Sequence, residues 1–217
     1  MRERVAIIDY GSGNLRSVER ALARAAAERG RNIRIQRIAN ADDLMQADRA
    51  VLPGVGAFAA CKEGLLAIPG MWEALGRFAE SGRPLLGICV GMQLMAEVGL
   101  EHGTHQGLGW FRAQVRALEP DPPAIRIPHM GWNRLKLTAA GAHHPLFAGI
   151  EDGAHVYFVH SYAMELVEES PLLATAEHGR RFAAAVGRGA VVGTQFHPEK
   201  SQRTGLAILQ NFLEWRP

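Results

Sequence analysis

Short apolar runs that end in glycine or proline alternate with helix-patterned stretches through the first half of this chain, and that rhythm limits the folds open to it. Val5 to Asp9 reads as a buried strand stopping in the Gly-rich turn Tyr10-Gly11-Ser12-Gly13. Leu15, Val18, Leu22 and Ala25 or Ala26 then recur at helical spacing until Gly30. Ile33, Ile35 and Ile38 make a second strand, and Ala50-Val51-Leu52 a third, closed by Pro53-Gly54. Helical segments are expected near 56–66 and 70–80. Leu85-Leu86-Gly87-Ile88 is a fourth strand, apolar on both faces, with 91–97 helical after it. Such strands, spaced by helices, predict a parallel sheet covered on both sides.

The second half has another pattern. Strands are expected at 110–118, 132–138, 155–163, 172–177, 182–186 and 190–195, separated by turns such as Glu119-Pro120-Asp121-Pro122-Pro123. These should extend the central sheet and add an antiparallel layer. A last helix near 203–214 carries Leu206, Leu209, Phe212 and Leu213. With 217 residues and no repeat or linker, one α/β domain spanning 1–217 is the expectation.

Composition narrows the function classes. Apolar residues at 47% and charged residues at 21% describe an ordinary folded domain rather than a disordered one. A net charge of +2 gives no reason to expect a nucleic-acid or anionic membrane partner. No stretch approaches the ~20 apolar residues of a membrane span, and the residues before Val5 are too few for a signal-peptide core. Cys61 and Cys89, the only cysteines, form no CxxC pair or metal-ligand spacing. The expected compartment is the cytoplasm, and neither metal nor cofactor is expected.

Gly87-Ile88-Cys89-Val90-Gly91 carries the most chemistry. It has the G-x-nucleophile-x-G form, with cysteine where hydrolases often carry serine. A nucleophile at the tip of a strand-to-helix turn projects into a pocket, and glycines on either side let backbones approach. A helix starting at Val90 would direct free N–H groups at the sulfur, favouring thiolate and later an oxyanion. A small buried core cysteine is the bland alternative. Cys61, in Ala59-Ala60-Cys61-Lys62-Glu63, has no such setting and is assigned to packing.

A cysteine nucleophile needs a base. Among nine histidines, His102, His105, His143, His144 and His178 lie in polar or turn surroundings and read as surface residues. His197 instead ends the apolar run Val191 to Phe196 and begins His197-Pro198-Glu199. Proline holds His197 extended, so Glu199, two residues on, can lie beside the imidazole and fix its tautomer. A helix N-terminus with an incidental acid fits Pro-Glu as well.

Taken together, Gly87-Ile88-Cys89-Val90-Gly91-Met92-Gln93 and Phe196-His197-Pro198-Glu199 resemble the class I, or triad, glutamine amidotransferases. Four further stretches resemble, within that class, the glutaminase subunits of imidazole glycerol phosphate synthases: Asp9 to Val18, Leu52 to Phe58, Pro128-His129-Met130-Gly131-Trp132-Asn133, and Tyr157 to Tyr162. The resemblance implies a three-layer, flavodoxin-like fold. It also implies glutamine hydrolysis through a γ-glutamyl thioester by Cys89, His197 and Glu199. Val90 N–H, with Val55 or Gly56, would form the oxyanion hole. Gly54, Gln93 and the segment His160-Ser161-Tyr162 would contact glutamine. The glycines around Val55 ease rotation of its peptide, so a hole completed only when a partner is engaged is a further expectation; a plain tight turn is the alternative.

The implied partner is a (β/α)8-barrel cyclase subunit of imidazole glycerol phosphate synthase, forming a heterodimer and consuming the ammonia in histidine biosynthesis. Asn14, Trp132 and Lys200 are candidates for the docking face. Trp132 has the character of an interface anchor. Lys200 is one of three lysines beside Lys62 and Lys136, which fits either an intersubunit ion pair or chance. The same triad could serve a γ-glutamyl peptidase, a cysteine protease or an amidotransferase for vitamin B6 synthesis. A non-catalytic scaffold is the reading furthest from these, and the intact triad residues oppose it.

Overall fold

The alternating apolar runs pair side by side. In the computed structural model, which describes residues 2–122 and 124–217, the expected first-half strands form as β1 (Glu3–Ile8), β2 (Ile33–Ile38), β3 (Arg49–Gly54) and β4 (Leu85–Cys89). Met1, and Pro123 at the end of the 119–123 turn, lie outside the described residues. Between these strands run α1 (Leu15–Glu28), α2 (Ala41–Met45), α3 (Phe58–Leu66) and α4 (Met71–Glu80). Helix α1 buries Val18, Leu22, Ala25 and Ala26, the stripe its spacing predicts. The short α2 is missing from the sequence reading; it starts where the Asn40 side chain accepts a hydrogen bond from Asp43 N–H.

A larger difference follows β4. The expected helix over 91–97 is a single turn, α5 (Val90–Gln93), after which the chain becomes strand β5 (Ala96–Gly99). Every residue from Val90 to Ala96 is buried, so hydrophobic periodicity cannot separate helix from strand there. Gly99 then packs against the Phe58 ring, where a Cβ would come within 2.6 Å.

The remaining elements are β6 (His105–Gln106), β7 (Phe111–Ala117), β8 (His129–Arg134), β9 (Lys136–Leu137), α6 (Ala139–His143), β10 (His155–His160), β11 (Tyr162–Leu166), β12 (Leu172–His178), β13 (Arg180–Arg188), β14 (Val191–Thr194) and α7 (Gln202–Glu214). Two expected strands are each split: 132–138 breaks at Leu135, and 155–163 breaks at Ser161. At the second break the chain passes from β8, its partner in one ribbon, to β7 in another sheet.

The main sheet has eight strands in the order β2-β1-β3-β4-β14-β13-β12-β9. The pairs from β2 to β14 are parallel and those from β14 to β9 antiparallel. Instead of a purely antiparallel layer there are an antiparallel two-stranded ribbon, β10-β8, and a mixed four-stranded sheet, β11-β7-β5-β6, in which β5 and β7 pair in parallel. Arg49 locks β3 in register: only 1% exposed, its guanidinium meets Glu3 Oε1 at 2.6 Å and the Phe212 carbonyl at 2.8 Å. Breaking such a buried pair costs about 3–5 kcal/mol. What matters for the site is that β4 pairs in parallel with β14, with Thr194 opposite Ile88. Residues just beyond both strands therefore emerge at the same sheet edge.

Candidate active site

Cys89 closes β4 and stands at φ 55°, ψ −111°, outside the usual regions for a residue with a side chain. Its neighbours explain how that turn is tolerated. A Cβ on Gly91 would lie 1.8 Å from the Leu52 carbonyl oxygen, and one on Gly87 would lie 2.7 Å from the Gly91 oxygen. Glycine at both flanks thus lets the turn press onto β3. Val90 N–H opens α5 and, like other first-turn amides, lacks an intrahelical acceptor. The one-turn length of α5 makes its dipole a smaller influence on Cys89 than a long helix would exert.

His197 arrives from β14. Its backbone is extended, at φ −97° and ψ 98°, and Pro198 begins a 3-10 turn over Pro198–Lys200. The expected extended alternation stops at His197, and a helical turn takes its place. Proline opens a helical turn, and that turn brings Glu199 Oε1 within 2.8 Å of His197 Nδ1. Both side chains are almost completely buried. The turn is tied down by Ser201, whose hydroxyl donates to the His197 carbonyl at 2.6 Å and accepts from Tyr157 N–H at 2.9 Å. Among the described residues, His197 Nε2 and Glu199 Oε2 have no hydrogen-bond partner. Desolvation alone would lower the imidazole's pKa, but the adjacent Cys89 sulfur and Glu199 carboxylate outweigh it and raise it to about 9. The site favours a protonated imidazole beside the Cys89 sulfur.

A cavity of about 250 Å³ opens over Cys89, walled by Val55, Gly56, Val90, Gln93, His160, Ser161, Tyr162 and His197 among others. The sequence reading brought these together. Gly54 is different: it lies beneath the wall, where a Cβ would come within 2.7 Å of Gly91 N and 2.9 Å of Val90 Cβ. Its lack of a side chain serves close packing against the turn after β4, while Gly56, at φ +92°, has open space around it. Val55 N–H donates to Ser12 Oγ at 3.2 Å, while the Val55 carbonyl accepts from that hydroxyl at 2.6 Å and from Cys61 Sγ at 3.4 Å. In this conformation the Val55 amide is engaged away from Cys89. Cys61 is buried as expected, and it also helps hold this peptide.

Gln93 Nε2 donates to the Tyr162 carbonyl at 2.9 Å and to Gln195 Oε1 at 3.0 Å. Gln195, absent from the sequence reading, directs its own Nε2 at Cys89 Sγ, 3.6 Å away. Its signal was available, since it precedes His197 by two residues in an extended run and so shares its side. Glu101, also missed, lines the cavity and accepts from Phe58 N–H at 2.7 Å. Of the histidines read as surface residues, His102 and His143 are exposed, but His105, His144 and His178 are half-buried.

Trp132 is 47% exposed, meets Tyr157 edge to face at 5.9 Å, and shares that ring with Lys200, whose Nζ lies 6.0 Å from its centroid. Asn14 precedes α1 at the same sheet edge and is half-buried. Among the described residues no group of three potential metal ligands occurs, and no helix is long and apolar enough to cross a membrane.

A thiol on a strained strand-to-helix turn, beside a carboxylate-bound histidine from the next parallel strand, defines a cysteine–histidine acyl-transfer site. The chain belongs to the glutamine amidotransferase class-I family, whose sequence pattern matches residues 6–215. It is 54% identical over 215 residues to the imidazole glycerol phosphate synthase subunit HisH of Rhodospirillum rubrum, covering 99% of this chain and 100% of that protein. To the same subunit of Caulobacter vibrioides it is 53% identical, over 98% and 99%. Solved structures share the fold at lower identity. A crystal structure of a glutamine amidotransferase aligns with a TM-score of 0.71 at 19% identity, over 97% of each chain. PurLQS from Thermotoga maritima aligns at 0.70 and 18%, over 99% of each.

Proposed function

We propose that the chain hydrolyses glutamine to glutamate and ammonia at Cys89, and delivers the ammonia to a cyclase subunit that makes imidazole glycerol phosphate and AICAR in histidine biosynthesis. One observation carries the chemistry. Cys89 and His197 emerge from adjacent parallel strands at one sheet edge, with Glu199 held 2.8 Å from the far ring nitrogen.

The Cys89 thiolate attacks the side-chain carbonyl carbon of glutamine. The imidazolium Nε2 of His197 protonates the departing nitrogen as the C–N bond breaks, leaving a γ-glutamyl thioester and ammonia. Water then gives a proton to His197 and attacks the thioester. The C–S bond breaks, glutamate leaves and the thiolate–imidazolium pair returns. Glu199 accepts from Nδ1–H throughout, so Nε2 always faces the reacting atoms.

Each tetrahedral intermediate places negative charge on oxygen, which two N–H groups stabilise best. Val90 N–H is one donor. Val55 N–H becomes the second when the Gly54–Val55 peptide turns away from Ser12. Gln93 and the His160–Tyr162 segment form the wall that receives the amino-acid end of glutamine. Docking of the partner, a (β/α)8-barrel cyclase, over Asn14, Trp132 and Lys200 would drive that turn and keep ammonia from bulk water. Exposed Met130 and Trp132 on β8, with Val55 and Ile127 near the cavity mouth, support an apolar docking face. The whole chain, 1–217, acts as one amidotransferase domain. A cytoplasmic setting suits its two unpaired cysteines.

The test is glutamate release from glutamine by the protein alone and with the cyclase and a substrate analogue of that subunit. Strong stimulation, lost in Cys89→Ala, is the expected result. Activity insensitive to both the cyclase and Cys89→Ala would reject the proposal.

A further inference from the structure

The Pro128–Asn133 stretch lies on β8, and its exposed side chains account for only half of it. The other face carries His129 and Asn133 inward. There a line of hydrogen bonds begins whose direction is set from both ends. Asn133 Nδ2 lies 2.7 Å from the Glu177 carbonyl oxygen and 3.1 Å from His129 Nε2. A carbonyl only accepts, so the Asn133 atom is the amide NH₂, and His129 Nε2 must accept its second proton. At the far end His160 Nδ1 lies 2.9 Å from the Tyr162 carbonyl, so Nδ1 carries the proton. The two rings meet through His129 Nδ1 and His160 Nε2 at 3.0 Å. One assignment satisfies all three contacts: both imidazoles neutral, each protonated on Nδ1.

The same carbonyl continues the line. Tyr162 O also accepts from Gln93 Nε2, which fixes that amide's orientation; its other proton goes to Gln195 Oε1, so Gln195 presents NH₂ to Cys89 Sγ. We propose that Asn133 and His129 are positioning residues for the glutaminase reaction, orienting through His160, Tyr162 and Gln93 the Gln195 amide that faces the nucleophile. This rests on the function proposed above, and gives the inner face of β8 a role beside the docking role of its outer face.

The surroundings hold the line in one state. His129 stacks on Phe158 at 4.8 Å and on His178 at 4.2 Å, with Phe182 edge-on. The titratable groups facing the pair are His178 from β12 and, toward His160, His197; no carboxylate acts on either ring's pKa. Burial, aided by these neighbours, lowers His129 to about 3 and His160 to about 4. A proton on either ring would set donor against donor.

Two measurements on the full-length protein test this. Nitrogen-15 NMR of the imidazoles should show His129 and His160 as neutral Nδ1–H tautomers from pH 8 to about 5. A neutral Nε2–H ring or an imidazolium at pH 7 overturns the assignment, whether or not the protein proves to be a glutaminase. In the complex with the cyclase, His129→Phe fills the stacked space without donating, and should slow both glutaminase turnover and Cys89 alkylation by about tenfold. His129→Asn places an amide N–H near the Nδ1 position and should recover most of that loss. Equal rates in wild type and His129→Phe, or equal losses in both variants, overturn the positioning role.

Discussion

Replacing Glu199 with glutamine isolates the charge in this site from its geometry. The amide oxygen can occupy the Oε1 position and still accept from His197 Nδ1–H, while the NH₂ takes the place of Oε2, which has no hydrogen-bond partner among the described residues. What disappears is one buried negative charge. His197 stands at about 9 against an ordinary 6.5, despite burial that opposes it, with Cys89 and Glu199 supplying the rise. If Glu199 contributes half of that rise, its removal lowers the imidazolium's pKa by about 1.25 units, about 1.7 kcal/mol. The ratio of imidazolium to imidazole at a given pH then falls by more than tenfold. Alkylation of Cys89 by iodoacetamide, followed peptide by peptide so that Cys61 is scored separately, reads this directly. At pH 7 the rate in Glu199→Gln should fall several-fold below wild type, and the gap should close above about pH 9, where His197 is neutral in both. An unchanged profile would refute the reasoning, because it would mean that Glu199 orients His197 without stabilising its charge.

Other perturbations probe different links. Gly91→Ala drives a Cβ to 1.8 Å from the Leu52 carbonyl, so despite better helix propensity it should destabilise the protein by about 3 kcal/mol or more in urea denaturation; stability equal to wild type would contradict the close-packed turn. Ser12→Ala releases the Val55 N–H, and should raise glutaminase activity without the cyclase at least tenfold, given that one oxyanion donor is worth about 10²–10³ in rate; an unchanged basal rate would contradict the Ser12 latch. Stability should also depend on pH in two opposite windows. His129 and His160 have lowered pKa values, so the unfolded chain takes up protons first and stability falls as pH drops from 6.5 toward 3–4. His197 has a raised pKa, so its contribution is complete below 6.5 and is lost as pH rises through about 9. Urea midpoints across pH 4–10 should therefore describe a dome, and a monotonic trend would contradict one assignment or the other.

The parallel half of the sheet was legible because β1, β3 and β4 are apolar on both faces and end in glycine-containing turns. The short second-layer strands were not. Nothing in the buried run from Val90 to Ala96 distinguishes a one-turn helix from a longer one, and what ends α5 is the pairing of β5 with β7, a long-range event. The split at Ser161 is likewise set by two different partners of β10 and β11. Within the site, Cys89, His197 and Glu199 could be located because their chemistry demands particular spacings. Gln195 and the His129–His160 pair could not be placed so readily: amides and neutral histidines carry no motif of their own, and the contacts that join the two rings, and Gln195 to Cys89, span 31 and 106 residues. Gly54 shows a related limit. A glycine required by close approach and one required by rotation look the same until Gly91 and Val90 are seen against it.

The central claim is a covalent one, and mass spectrometry of the protein quenched during glutamine turnover tests it most directly. The account predicts a γ-glutamyl adduct confined to the peptide bearing Cys89, absent in Cys89→Ala and accumulating in variants that slow thioester hydrolysis. Glutamate formation with no adduct at Cys89 under any quench, and undiminished in Cys89→Ala, would contradict it.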